Sequence, residues 1–414
     1  MNFYPSSTEP KLSTGQRLEL KISRVAHGGE GIAIFDGRVI FVQSSYPGDT
    51  VLAEVTKVKR NFARALLIDV LEPAPARVEQ RCPAAALGAG CCDFGDLEPK
   101  SAVGLKTTIL RDQLTRLGGL ENLPDIQQLA LNPYQGWRTR MRLGVDDQGR
   151  AGMRALRSND VISAAPCAQA VPGLLDSVVG EEARRFTPHA EVIVVMDDDH
   201  NRHIVEISKA PRGRRSETIT KVIEGSDHAI QKVAGYTFKI PATAFWQAHV
   251  AALETYSQQI TSWLKNYGPK SHELLAWDLY GGVGALVPAI REGSNPQATI
   301  YSVETSPGSA RAGRKAFDRG ITFITNSVEA ALGELPNPDI VVLDPPRTGA
   351  ASGVIEGIAA AQPDIVIHIG CDPATFARDV RRFVDQGYIF SECVMIDAFP
   401  GTHHLESMGL FLRS

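Results

Sequence analysis

At 414 residues the chain is long enough for two or three domains, and its 43 basic and 47 acidic residues leave a formal charge of −4. That near balance excludes an overall basic field, so contact with nucleic acid has to come from local patches. No apolar run approaches the length of a membrane span, the N-terminal MNFYPSSTEPKLS lacks a signal-peptide core, and six cysteines are too few for a disulfide framework. A soluble cytoplasmic protein is expected, with no membrane partner and no obligatory protein partner.

Residues 1–13 read as a loose tail. From Gln16 to about Val70, short alternating strands and an Asp36-Gly37 hairpin signal predict a small antiparallel β-barrel. Lys57, Lys59, Arg60 and Arg64 surround Phe62, a pattern that can meet a phosphate backbone and stack one base, although a solvated strand edge has the same composition. PAPARVEQ (73–80) reads as a linker. The next stretch, RCPAAALGAGCCDFGDLEP, holds Cys82, Cys91 and Cys92, with Cys167 far downstream. Four such thiols could ligate zinc or an iron–sulfur cluster, or remain reduced structural thiols.

Residues 98–118 have helical periodicity. WRTRMRLGVDDQGRAGMR and EVIVVMDDDHNRHIVEIS then predict a second, β-rich region. Arg138, Arg140 and Arg142 alternate onto one strand face, and Lys209, Arg212, Arg214 and Arg215 cluster in a loop. Both groups are candidate phosphate contacts, although solvation explains the loop equally well.

AFWQAH (244–249) precedes a helix and offers Gln247 as a hydrogen-bond partner for a ligand. LLAWDLYGGVGA (274–285) predicts a buried strand, a glycine turn through Gly281, Gly282 and Gly284, and a helix opening at about Ala285. Such a turn lets the backbone approach a ligand at the strand's carboxyl end. ATIYSVE ends in Glu304, placed to accept hydrogen bonds from ribose hydroxyls, and leads into a helix over Ser309–Arg319. Further strands end at Asn326, Asp344 and Cys371. Strands alternating with helices make this a doubly wound α/β domain whose polar residues mark the ligand edge.

Cys371 sits where a strand gives way to a helix carrying Pro373 in its first turn. The helix dipole there favours a thiolate, as a nucleophile requires, whereas a buried small apolar residue is the plainer alternative. Near the C-terminus, DAFPGTHHLESMGLFL places Glu406 as a candidate general base. His403 and His404 have no third metal ligand at suitable spacing and read as structural.

DLYGGVGAL, LDPPRTGA, GCDPATFARD and FPGTHHLE, in this order, resemble the RNA (uracil-5-)methyltransferase family, and the N-terminal barrel resembles its TRAM domain. The similarity covers nearly the whole chain. It implies a class I (Rossmann-like) S-adenosylmethionine-dependent methyltransferase domain over 236–414, an OB-like TRAM barrel over 1–72 that binds RNA, and a β-rich central domain over 73–235. By matching motif, Cys371 would be the nucleophile and Glu406 the base, with Gln247, Tyr280, Gly282, Glu304, Asn326 and Asp344 around S-adenosylmethionine. The implied partner is a structured RNA, ribosomal first and transfer RNA next.

The resemblance also implies a [4Fe-4S] cluster, held by Cys82, one or both of Cys91 and Cys92, and Cys167. Its usual C-x5-C-x2-C spacing is replaced here by C-x8-C-C. Gly281 stands where the family often has Cys, Ala285 where it often has a polar residue, and Asp372 where Asn is frequent. DPPR, with no aromatic after the prolines, favours carbon methylation over amino-group methylation. A protein that binds RNA and S-adenosylmethionine without catalysis is the alternative, but both catalytic positions are filled.

Overall fold

The structure is a computed structural model, described here over residues 12–209, 217–271 and 273–414. Arg212, Arg214 and Arg215 and most of the N-terminal tail lie outside the described residues. Six strands, Arg17–Lys21, Arg24–Val25, Gly31–Phe35, Arg38–Val42, Thr50–Val58 and Phe62–Glu72, form the N-terminal sheet. Its spatial order is first, fifth, sixth, fourth, third, second. Alternate residues such as Leu18, Leu20, Ile40, Val51, Ala53 and Ala63 point into one shared core, which curls the sheet around itself. The Asp36-Gly37 turn has positive φ at both residues (47° and 75°), as a tight hairpin needs. One pairing departs from the antiparallel expectation, because Arg38–Val42 runs parallel to Phe62–Glu72.

The stretch after the barrel is no loose linker. The Arg77 guanidinium pairs with the buried Asp49 at 2.7 Å and with Asp96 at 2.6 Å, and lies 4.7 Å from the Tyr46 ring. Asp49 also accepts from the Tyr46 and Ala74 amides. Burial opposes its charge, but the bonds from Arg77, Ala74 and Tyr46 prevail and hold Asp49 below the usual carboxylate range.

The central region is a six-stranded antiparallel sheet ordered Val161–Ile162, Ala151–Arg154, Arg140–Val145, Glu191–Met196, Arg202–Lys209, Thr218–Glu224. One face buries Met141, Leu143, Val192, Val194 and Ile204 together with the four thiols. A separate hairpin, His228–Val233 with Tyr236–Pro241, follows. Its Val233, Phe238 and Ile240 join the core of the large C-terminal sheet. The 235/236 division drawn from sequence therefore falls in the turn of a hairpin that packs as one piece.

The large sheet has eight strands, ordered Ile321–Thr325, Thr299–Glu304, Leu275–Leu279, Ile340–Leu343, Ile365–Gly370, Glu406–Arg413, Tyr388–Asp397, Ile126–Ala130. The first five are parallel, and Glu406–Arg413 runs antiparallel to its neighbour Ile365–Gly370. The edge strand Ile126–Ala130 comes from the 73–235 stretch and pairs parallel with Tyr388–Asp397. The helix Pro99–Arg116 also docks here, through a fully buried pair between Lys106 Nζ and Asp397 Oδ1 at 2.5 Å. The glycine turn and Asp344 therefore sit at the topological switch point, between strands whose connections leave in opposite directions, where open α/β sheets bind ligands.

Candidate active site

Two cavities open at the carboxyl ends of the parallel strands. The first, of about 560 Å3, is bounded by the glycine turn, Glu304, Ser327–Glu329 and Asp344. Tyr280 and Gly282 line it with positive φ (both 59°), so the turn folds back and exposes backbone to the cavity. Gly281 admits no side chain, since a Cβ there would lie 2.1 Å from Asp278 Oδ2. Its departure from the family's frequent Cys thus fits the local packing.

Glu304 Oε2 accepts from the Gly282 amide at 3.0 Å, and its Oε1 accepts from the Ser306 amide at 2.6 Å, which fixes the carboxylate at the strand end. Asp278 accepts from the Ser302 hydroxyl at 2.8 Å. Of the residues expected here, Gln247, Tyr280, Gly282, Glu304 and Asp344 line this cavity. Asn326 turns aside, with its side-chain oxygen accepting from the Ser327 amide, and Ser327 and Val328 take the wall in its place.

The second cavity, of about 510 Å3, adjoins the first along Ala244–Gln247 and Asp344. Cys371 and Glu406 both face it, 35 residues apart in sequence but at the adjoining ends of neighbouring strands, Cys371 just after Ile365–Gly370 and Glu406 at the start of Glu406–Arg413. Opposite them stand Arg138, Arg140 and Arg142, brought in by the central sheet. Arg142 also pairs with Glu191, whereas Arg140 donates to the Ala242 carbonyl and keeps Nη1 unpartnered among the described residues. The arginine stripe read from sequence thus faces the pocket that holds Cys371.

The electrostatics of this cavity differ from the sequence expectation. Cys371 follows the strand Ile365–Gly370 and precedes the helix Pro373–Asp385, as predicted. Its thiol is nevertheless pushed up to about 12, first by burial and then by the charges of Glu406 and Asp344, with Arg347 opposing. Burial and two carboxyls outweigh the helix dipole in the ligand-free site. Glu406, 3% exposed, is raised well above the usual carboxylate range by burial and by Asp344. Asp344 is pushed up to about 7 by burial and Asp278. Glu406 Oε2 and the buried Tyr256 hydroxyl have no hydrogen-bond partner among the described residues. Such orphaned groups are what an incoming polar ligand satisfies.

Three residues gain importance that sequence reading gave them no role for. Phe245 is 79% exposed and lines both cavities, and its only sequence signal was an aromatic two positions before Gln247. Arg347, in the quoted DPPR, is the cation beside Cys371 and Glu406 and donates to a His404 ring nitrogen at 3.0 Å. His27 reaches from the N-terminal sheet to Asp372 Oδ2 at 3.0 Å, while Asp372 caps the helix by accepting from the Ala374 and Thr375 amides. The adjoining Gly29 lies against His403, where a Cβ would come within 2.8 Å of that ring's Cβ. The Arg64 of the barrel's basic stretch is held by Glu30, leaving Lys57, Lys59 and Arg60 exposed.

Away from both cavities, Cys82, Cys91, Cys92 and Cys167 are all buried and their sulfurs lie within 4.8 Å of one another. The C-x8-C-C spacing therefore brings all four thiols to one point, the donor set of a thiolate metal centre. Among the described residues no helix is long and apolar enough to cross a membrane.

Family models describe the two ends of the chain. A TRAM domain model matches residues 11–68, and a tRNA (Uracil-5-)-methyltransferase model matches residues 331–414. An uncharacterized RNA methyltransferase of Corynebacterium glutamicum is 50% identical over 97% of this chain and 98% of its own length. Another from Corynebacterium diphtheriae is 45% identical over 98% of this chain and 99% of its own length. The solved Pyrococcus abyssi tRNA (uracil-54, C5)-methyltransferase, in complex with S-adenosyl-L-homocysteine, shares the fold. Its TM-score is 0.67 at 17% identity, covering 96% of this chain and all of that one. Near-complete coverage at half identity, with the TRAM and uracil-5 models at either end, means that the chain belongs to the TRAM-bearing RNA (uracil-5-)methyltransferase family.

Proposed function

We propose that this protein transfers a methyl group from S-adenosylmethionine to C5 of a uridine in structured RNA, through a covalent bond between Cys371 and C6 of the base. The observation that carries this reading is that Cys371 and Glu406 face one cavity and share Asp344 and Gln247 with a second, glycine-lined cavity. Bound in the glycine-lined cavity, S-adenosylmethionine would supply a methyl group on a sulfonium. Glu304 would accept from the ribose hydroxyls, the Gly282 turn would lie along the ligand, and Gln247, Tyr280, Ser327 and Asp344 would complete the surround.

C5 of uracil is a weak nucleophile. Cys371 adds as a thiolate to C6, and the enolate so formed gives C5 the electron density to take the methyl group. Glu406 then takes the C5 proton, and the C6–S bond breaks to release Cys371 as a thiolate. Arg347 favours the ionised forms of both residues, opposing in part the burial that disfavours them. Arg138, Arg140 and Arg142 would steer the RNA backbone, and Phe245 offers an open ring for a base taken out of its stack. The barrel over 1–72 would add phosphate contacts through Lys57, Lys59 and Arg60.

The reading takes ribosomal RNA as the first substrate and transfer RNA as the second. Tritium release from RNA labelled at uracil C5, with the two RNAs offered separately, tests both points. Release that requires S-adenosylmethionine is expected from ribosomal RNA. Its absence from both RNAs, with cofactor binding confirmed, would remove C5 of uracil as the target.

A further inference from the structure

The thiol tetrad takes no part in the chemistry above, yet it is the most tightly convergent group of ligating atoms outside the two cavities. Cys82 Sγ lies 3.7 Å from Cys91 Sγ and 3.9 Å from Cys167 Sγ, and Cys92 Sγ lies 3.7 Å from Cys167 Sγ. All the separations fall within 4.8 Å. A tetrahedral zinc with arms of ~2.3 Å to sulfur has sulfur–sulfur edges of about 3.8 Å. A four-iron cube places a separate iron under each sulfur and holds the thiolates farther apart than one shared ion does.

We propose that Cys82, Cys91, Cys92 and Cys167 hold a single zinc ion in tetrahedral coordination, in place of the iron–sulfur cluster that the resemblance implies. The surroundings suit a thiolate centre. The Ala168 amide points at Cys82 Sγ at 3.4 Å, and the half-buried Arg138 guanidinium acts electrostatically on Cys167, Cys91 and Cys92, partly balancing a tetrathiolate that keeps two negative charges after zinc binds. No redox step is needed, and zinc offers none.

The site's place in the fold gives it work to do. Gln169, two residues after Cys167, donates to the Cys91 carbonyl at 2.8 Å and to the Pro400 carbonyl at 3.3 Å. The Phe94 amide donates to the Gly401 carbonyl at 3.0 Å, and the His403 amide donates to Asp93 Oδ1 at 3.1 Å. The thiol loop is thus stitched to residues 400–403, the segment that leads into Glu406. The ion clamps the loop that sets the base, a positioning role. This holds whichever uridine or RNA the enzyme uses.

The test begins with the unaltered full-length protein, produced with both iron and zinc available and purified without oxygen. One zinc per chain, without acid-labile sulfide or brown colour, is expected. Exchange with cobalt(II) should then give the intense visible bands of a tetrahedral tetrathiolate ion. Iron in any form, with or without sulfide, overturns the proposal, as does a metal-free protein with four titratable thiols. A second measurement reads the clamp: stripping zinc with a chelator should speed amide hydrogen exchange over residues 400–404 and leave Leu275–Leu279 unchanged. Equal exchange at both places would overturn the positioning role.

Discussion

The two cavities share Asp344 and Gln247 but are made differently. The glycine-lined cavity is largely local in sequence, built from successive strand ends, and its charged groups are already held: Glu304 by the Gly282 and Ser306 amides, Asp278 by Ser302. The Cys371 cavity is gathered from stretches as far apart as Arg138, Ile193, Thr243, Asp344, Cys371 and Glu406, and keeps Glu406 Oε2 and Arg140 Nη1 without partners among the described residues. A buried polar group left unpaired costs on the order of 1–3 kcal/mol. The comparison teaches that the glycine-lined side holds its carboxylates in advance, whereas the Cys371 side gives up stability in unpaired polar atoms; in the proposed reaction these are the donor and acceptor sides.

Substitutions on the two sides should therefore separate cleanly. The largest effect is expected from Cys371→Ala, which should lower methyl transfer by about 10^3-fold or more and abolish covalent capture of 5-fluorouridine RNA. S-adenosylmethionine affinity, measured by calorimetry, should stay unchanged. Capture that survives in this variant would place the nucleophile elsewhere. Next, Glu406→Gln should slow turnover by roughly 10^2–10^4-fold and accumulate a methylated RNA adduct on denaturing gels, because proton removal fails after addition has succeeded. An active, adduct-free variant would remove Glu406 from the reaction.

Proton linkage on this side has a definite sign. In the proposed reaction Cys371 and Glu406 act as anions, and both are raised by burial, so the rate of the unaltered enzyme should climb with pH through neutrality. Arg347→Met should move that acid limb further up in a pH–rate profile; an unmoved limb would show that Arg347 does not tune the pair. On the donor side, Glu304→Gln should weaken S-adenosylmethionine by roughly 10-fold, the size of one charge-assisted hydrogen bond, while kcat at saturation changes little. A kcat loss with unchanged affinity would erase the division between the cavities.

How much of this was legible in the sequence follows the same division. The LLAWDLYGGVGA turn and the strand ending at Glu304 could be read because an apolar run, a terminal carboxylate and a glycine cluster are local signals. Cys371 could be placed at its strand–helix junction for the same reason. Its raised pKa could not be foreseen, because it depends on burial and on Asp344 and Glu406, which only the sheet brings near. Asn326 looked equivalent to the other strand-end residues, but the chain turns one residue later and presents Ser327. Pro-rich composition suggested a linker at 73–80, and nothing local shows that Arg77 reaches Asp49 and Asp96. IQQLA at 126–130 carries little strand pattern and is a strand because Tyr388–Asp397 offers it an edge.

The smallest expected effect concerns the contact that joins the barrel to the acceptor side. Asp372 caps the helix after Cys371 with Oδ1 and meets His27 with Oδ2. Burial opposes its charge, yet the His27 contact and the Thr375 and Ala374 amides hold it down at about 2. A carboxyl so depressed contributes stability in full above its unfolded value of about 4, and loses that contribution as pH falls toward 2. Both side chains are partly exposed, so the pair itself should contribute only ~0.3–1 kcal/mol. His27→Ala should therefore leave the cap, the fold and S-adenosylmethionine affinity intact and lower kcat/KM for RNA by roughly 2–5-fold. Asp372→Asn keeps the capping oxygen and loses the charge, so it should match His27→Ala, and the double variant should be no worse than either single one. Additive losses would mean that His27 meets RNA directly and that the barrel binds substrate without steadying the nucleophile's loop.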